Sequence, residues 1–211
     1  MKQIRKRSEP PELRAHRRAG GHFGDPQGDT KWKERLQEAL LREQGRLCCY
    51  CMARISRERM KVEHYLSQER HPERALDHCN LFAACAGGEG WPRALQTCDT
   101  RKGSAALSIN PTGNIEPFLR YLADGTISSA DPAYQQDLDT TLNLNAAALK
   151  RARKAVIQGL VIAFEREMPK HWKPSRLREE LARWEARDER GDYREFCRVV
   201  VYFLEKRLRR A

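Results

Sequence analysis

No stretch of this 211-residue chain is apolar for long enough to cross a bilayer. The longest apolar run, Val199 to Leu204, falls far short of the roughly 20 residues a spanning helix needs. The basic N-terminus lacks the apolar h-region of a secretory signal, so export is not expected. Internal repeats and low-complexity tracts are absent, which argues against a solenoid or fibrous array. A phosphate-binding glycine loop ending in Lys-Ser/Thr is also missing, so any ATP dependence has to come from a partner. The mean hydropathy is −0.79 and 33% of residues are charged, as in a soluble protein. A chain of this length buries roughly 70% of its unfolded surface and can fold without disulfides. A cytoplasmic location and no membrane partner are therefore expected.

What is present is a concentration of cysteine. Seven cysteines occur and six of them lie between positions 48 and 98. An odd number in a chain without an export signal points to metal binding in a reducing compartment rather than a disulfide framework. Charge is also uneven. The total is +11, with seven Lys/Arg against two acids in residues 1–20 and 18 against 10 in residues 150–211. The stretch between is slightly acidic, with 15 basic residues against 17 acidic. Basic flanks suit a polyanion such as nucleic acid.

The expected organisation is α+β. Residues 1–29 read as a basic arm, with one short strand over Met1–Arg7. Pro10, Pro11, Pro26 and glycines 20, 21, 24 and 28 then interrupt regular structure. Asp29 or Thr30 can cap a helix to about Gln44, with Trp32, Leu36 and Leu40 on one face and Gly45 stopping it. Arg46–Cys51 and Met60–Tyr65 read as strands, Asp77–Cys85 as a short helix or turn, and Gly87–Gly90 as a loop. Another short helix begins near Asp99, and Asp124-Gly125 can turn a hairpin. Residues 30–130 form the expected core, and 131–211 a helical region. Leu149, Val156, Leu160 and Phe164 mark one of its helices, and Leu177, Leu181 and Trp184 a second. Asp192 can cap a third, with Phe196, Val200, Phe203 and Leu204 inward.

Zinc prefers four thiolate or imidazole ligands in a tetrahedron. Cys48 and Cys51 have the C-x-x-C spacing that presents two sulfurs from one turn. Cys85 and Cys98 are the best candidates to close a structural Zn²⁺ site, although twelve residues separate them; His78 and Cys79 are the alternatives. Cys49 should point away, and Cys197 reads as a buried apolar residue. Between the cysteines lie the residue types of a metal-dependent nuclease. His64 can be the general base near neutral pH. Glu63 and Asp99 offer hard oxygen ligands to a catalytic Mg²⁺ or Mn²⁺. Asn80 can fix a loop and orient His64. Arg101 and Lys102 can meet phosphate.

In this order the residues resemble the HNH endonuclease family, whose site is the ββα-metal fold. The matching positions are Cys48/Cys51, Glu63-His64, Asn80-Leu81, Cys85 and Cys98, and Asp99 with Lys102. The resemblance implies a zinc-braced ββα core with His64 as base, Glu63 and Asp99 as metal ligands and Asn80 as the structural middle residue. Asp99 departs from the family's usual His or Asn, and the Cys85–Cys98 spacing is stretched. Within the family, Met1–Lys6, Leu47–Met52, Met60–His64, Gly87–Gly90, Cys98–Gly103, Asn110-Pro111 and Leu142–Asn145 look like the PtuB nucleases of Septu-type anti-phage systems, some of which accompany retrons. This closer likeness spans roughly residues 1–160. It implies phage defence and a PtuA-type ABC/SMC-like ATPase partner. In the retron-associated branch, a retron reverse transcriptase and its msDNA would join them. The substrate expected is DNA first and RNA second. The rival reading is a non-catalytic zinc-ribbon binding or adaptor module.

Overall fold

The computed structural model describes residues 1–24, 31–168 and 172–210. Among the described residues, seven α-helices and two small antiparallel sheets make a mixed α+β architecture. No described helix is long and apolar enough to cross a membrane. The elements nearest the cysteines are α1 (Pro11–Arg18), α2 (Lys31–Gln44), β1 (Met60–His64), β2 (Leu81–Cys85) and α3 (Cys98–Lys102). Then come β3 (Leu119–Tyr121), β4 (Ile127–Ser129), α4 (Pro132–Gln136), α5 (Ala147–Glu167), α6 (Pro174–Glu185) and α7 (Cys197–Leu208).

Helix α2 forms on the expected face. Trp32, Leu36 and Leu40 are buried against β2, and Gly45 takes a positive φ of 56° that ends the helix. The proposed caps Asp29 and Thr30, like Pro26 and Gly28, lie outside the described residues. Strand β1 pairs with β2 in the register His64↔Leu81 to Met60↔Cys85, and α3 packs against β2. The sequence reading of Asp77–Cys85 as a helix or turn holds for its first half only. His78–Asn80 form one 3₁₀ turn, with the Asp77 carboxylate accepting from Cys79 N. The second half is a strand with Leu81 to Ala84 all buried. A strand covered on both faces shows no alternation in sequence, so periodicity could not separate it from a helix.

Four other expectations change. Met1–Arg7 is not a strand. It has no regular secondary structure and is held mostly through side chains, with Gln3 N donating to the Glu116 carboxylate and Arg7 N to Glu43, while Ile4 N donates to Pro111 O. Met1, Ile4 and Leu13 are buried and α1 packs on α2, so these residues join the core. Pro11 starts α1 instead of interrupting it, because the first helical position needs no N–H donor. Arg46–Cys51 keeps only one bridge, Leu47↔Arg54, since the chain must turn sharply to bring two sulfurs together. Asp192 caps no helix. It faces the guanidinium groups of Arg46 and Arg54, and α7 starts at Cys197 after Phe196 at φ 53°.

The β3–β4 hairpin turns at Asp124-Gly125, as expected. Gly125 sits at φ 87°, and a Cβ there would lie 2.0 Å from the Lys150 carbonyl on α5. Arg153 of α5, fully buried, donates to the Gly125 and Leu144 carbonyls and so locks the hairpin to the helix. Leu160, Phe164, Leu177, Val200 and Leu204 form a second small core where α5, α6 and α7 meet. Each such side chain contributes roughly 1.5–3 kcal/mol on burial.

Candidate functional site

A turn, a strand end and a helix start carry the four sulfurs. The turn after Leu47 presents Cys48 and Cys51, β2 ends in Cys85, and Cys98 opens α3 with φ 55°. The Cys98 N–H donates to the Leu142 carbonyl, which holds this unusual backbone in place. All four Sγ atoms lie within 4.8 Å of one another, and Cys51 and Cys85 are 3.8 Å apart. Sulfurs about 2.3 Å from a tetrahedral centre are separated by about 3.8 Å, so the donor set fits a metal such as zinc. Among the described residues it is the one group of three or more such side chains that converges this way.

Electrostatics agree. Burial opposes ionisation of Cys48, yet S–H donors from Cys49, Cys51, Cys85 and Cys98 hold its thiol well below the usual range. The same contacts with Cys48 push Cys51 and Cys98 well above it. Only a cation at their centre would let all four lose their protons together. The alternative ligands lie elsewhere. Cys79 is exposed, and His78 Nε2 lies 3.2 Å from a Glu43 carboxylate oxygen without the alignment of a hydrogen bond. Cys49 is buried outside the cluster, and Cys197 is buried in the core.

The twelve residues between Cys85 and Cys98 form a pinned excursion. Thr97 N donates to Gly87 O, Thr100 Oγ1 to Ala86 O, and Asn143 Nδ2 to Ala94 and Gln96 carbonyls. Trp91 and Leu95 are left exposed at its tip.

Beside the sulfurs, β1 and α3 bring Glu63, His64, Asp99 and Lys102 together. His64 Nε2 lies 3.0 Å from the Ala75 carbonyl, which fixes Nε2 as the protonated nitrogen and leaves Nδ1 as the acceptor. The ring packs edge-on against Phe23 at 4.4 Å and retains 6% of its surface. Burial lowers its pKa, partly countered by the Ala75 carbonyl and by Asp99. Asn80 does what its position suggested. Its amide bonds Leu66 N, Leu66 O and Arg74 O, clamping the β1–β2 connection that presents Ala75.

Glu63 is buried. The Tyr50 hydroxyl donates to its Oε1 at 2.6 Å, and Lys102 Nζ lies 2.7 Å from the same oxygen. Burial first, and then the adjacent Asp99 carboxyl, raise Glu63 well above the usual carboxylate range against the pull of Lys102. Two neighbouring carboxyls can stay together only by sharing a proton or a cation. Asp99 is less buried, with Lys61 Nζ 3.4 Å from its Oδ2.

The expectation that Lys102 and Arg101 meet phosphate changes. Lys102 is enclosed, donating to the His64 carbonyl as well as pairing with Glu63, because α3 packs directly on β2. Arg101 donates to the Thr140 and Arg93 carbonyls. Three residues of the site were not anticipated: Tyr50, Lys61 and Phe23. Tyr50 carried a signal, since a tyrosine between two cysteines of a tight turn is buried and its hydroxyl needs a partner. Phe23 carried none.

No protein-family model matches the chain, and no curated protein matches it.

Proposed function

We propose that this protein is a metal-dependent endonuclease of the HNH type, cleaving phosphodiesters of DNA before RNA. The observation that supports this reading is that Glu63 and His64 end β1 beside α3, which carries Asp99, with Lys102 Nζ joining the Glu63 carboxylate to the His64 carbonyl next to four convergent cysteines. Cys48, Cys51, Cys85 and Cys98 hold a structural zinc. Asp99 and Glu63 are the residues that hold a divalent ion, Mg²⁺ or Mn²⁺, which when bound neutralises charge on the scissile phosphate.

The chain's own residues do the rest. His64 keeps Nε2–H on the Ala75 carbonyl and offers Nδ1 to the attacking water. The proton it takes makes an imidazolium that the Asp99 charge favours. Asn80 holds the loop that sets this tautomer. Lys102 supports Glu63 from inside instead of contacting nucleic acid. The role proposed with it, on the PtuB-like sequence motifs alone, is phage defence in the cytoplasm alongside a PtuA-type ATPase and, in some systems, a retron reverse transcriptase with its msDNA.

The test is plasmid nicking by zinc-loaded protein in Mg²⁺ or Mn²⁺. His64→Ala should abolish it while leaving the fold and the zinc intact. Unchanged nicking in that variant would end the catalytic reading. A second reading, a zinc-braced binding module without catalysis, draws on the near-complete burial of Glu63 and its engagement by Tyr50 and Lys102. It expects nucleic-acid binding that is indifferent to His64→Ala.

A further inference from the structure

The N-terminal segment, the end of α2 and the loop before α7 enclose a cavity of about 480 Å³. None of Glu63, His64, Asn80 or Asp99 lines it, while Cys48 and Cys49 of the cysteine turn do. Its walls carry Lys2, Arg5, Lys6, Arg7 and Arg187 against two acids, Glu43 and Glu116. Both acids are engaged. Glu43 accepts from Lys6 Nζ and from Arg7 N, and Glu116 accepts from Gln3 N and pairs with Arg198. Lys6 is answered by Glu43, and the Arg187 guanidinium donates to the carbonyls of Arg42, Glu43 and Gly191. That bonding fixes Arg187 over the Tyr193 ring, 4.5 Å from its centroid, where Lys2 Nζ also sits at 4.5 Å. Lys2, Arg5 and Arg7 line this concavity and form no ion pair among the described residues, and the Arg5 and Arg7 side chains are exposed at its rim.

Like charges gathered in a concave site repel, and the arrangement is stable when an anion answers them. The cavity has the size of a small-ligand site. A phosphodiester backbone spreads single charges along a strand and cannot fold into such a volume. A terminal phosphate carries about −1.5 to −2 near neutral pH, and a polyphosphate carries more, in a few ångströms. Arginine forks match its oxygens bidentately.

We infer that this cavity binds the terminal phosphate group of a nucleotide, either as a free nucleoside polyphosphate or as the phosphorylated end of a nucleic-acid strand. The inference does not rest on the nuclease reading, and its test reads binding alone. Titration calorimetry on the full zinc-loaded chain compares tripolyphosphate, ATP and a short oligonucleotide with a 5′-phosphate or a 5′-hydroxyl. Wild type should bind at least one phosphate-terminated probe. The triple variant Lys2→Gln/Arg5→Gln/Arg7→Gln should lose at least about tenfold in affinity, since charge-assisted contacts are the strong ones. Those three side chains make no hydrogen bond or ion pair among the described residues, and Lys2 loses only its contact with the Tyr193 ring, so the variant should melt close to wild type. Binding of ATP and tripolyphosphate with no preference between the oligonucleotides identifies the free nucleotide. A preference for the 5′-phosphate identifies the strand end. No binding of any probe at millimolar concentration overturns the inference, as does binding unchanged in the triple variant or oligonucleotide binding that ignores the terminal group while ATP fails.

Discussion

Replacing Lys102 with methionine should destabilise the protein strongly, because it removes the cationic side chain that pairs with Glu63 inside the fold. Lys102 Nζ sits 2.7 Å from Glu63 Oε1 and 2.8 Å from the His64 carbonyl, with both side chains 1% exposed. Breaking such a pair from one side leaves a buried charge unanswered and costs about 3–5 kcal/mol. For a chain of 211 residues each kcal/mol lowers Tm by about 2–4 °C, so the drop should be roughly 6–20 °C. The loss should depend on pH. Glu63 already titrates above its ordinary 4.5 in the folded state, chiefly through burial. A group raised in this way contributes stability that is fully present below 4.5 and lost as pH rises through the folded value. Lys102 restrains the rise. Without it the folded value climbs further, so the deficit of Lys102→Met should widen toward neutral pH and narrow in acid. The assay is urea unfolding of zinc-loaded protein at about pH 5 and about pH 7.5, for both single variants and the pair with Glu63→Gln. The double variant should recover at least about 2 kcal/mol of the summed single losses. A Lys102→Met cost below about 1 kcal/mol, or additive single losses, would refute the buried-pair argument.

Other outcomes follow from the same coordinates. Metal analysis should find about one zinc per chain, lost in Cys85→Ser and Cys98→Ser but retained in Cys79→Ser, whose side chain lies outside the sulfur cluster. Asn80→Ala removes three bonds to the β1–β2 connection. It should cost about 2–4 kcal/mol and speed amide exchange at Leu66; protection equal to wild type would contradict the clamp. His64 is held below its ordinary 6.5 by burial, so a base acting from the neutral ring stays competent to that pH and below. The acid limb of the cleavage profile should fall below pH 6.5, and a limb above that value would assign the titration to another group.

Much of the site was legible because its chemistry is tied to residue type. Only thiols crowd together as Cys48, Cys51, Cys85 and Cys98 do, so their pairing could be anticipated across a long gap. Strand β1 was legible from the alternation that sets Val62 and His64 on one face and Glu63 on the other, and α2 from the spacing of Trp32, Leu36 and Leu40. Strand β2 was not, because Leu81–Ala84 are covered on both faces and carry no period. The inward turn of Lys102 was equally hidden. A lysine after Asp-Thr-Arg on a short helix reads as surface until the packing of α3 on β2 places it beneath Glu63. The fate of Met1–Arg7 depended on partners at Glu43, Pro111 and Glu116, far along the chain, which no local pattern encodes.

The excursion between Cys85 and Cys98 separates coordination from chain length. Its two ends are held at sulfurs within 4.8 Å of each other, and its bonds to Asn143 and Thr100 brace it from outside. Sulfurs so placed impose no limit on how many residues join them. Closing a longer loop costs only about 0.6 kcal/mol for each doubling. The segment around Trp91 is thus a splice point, where a peptide tag or a fluorophore can be inserted without disturbing the four cysteines. A spacing rule for ligands describes the loop that happens to connect them, while the metal reads only where they end up.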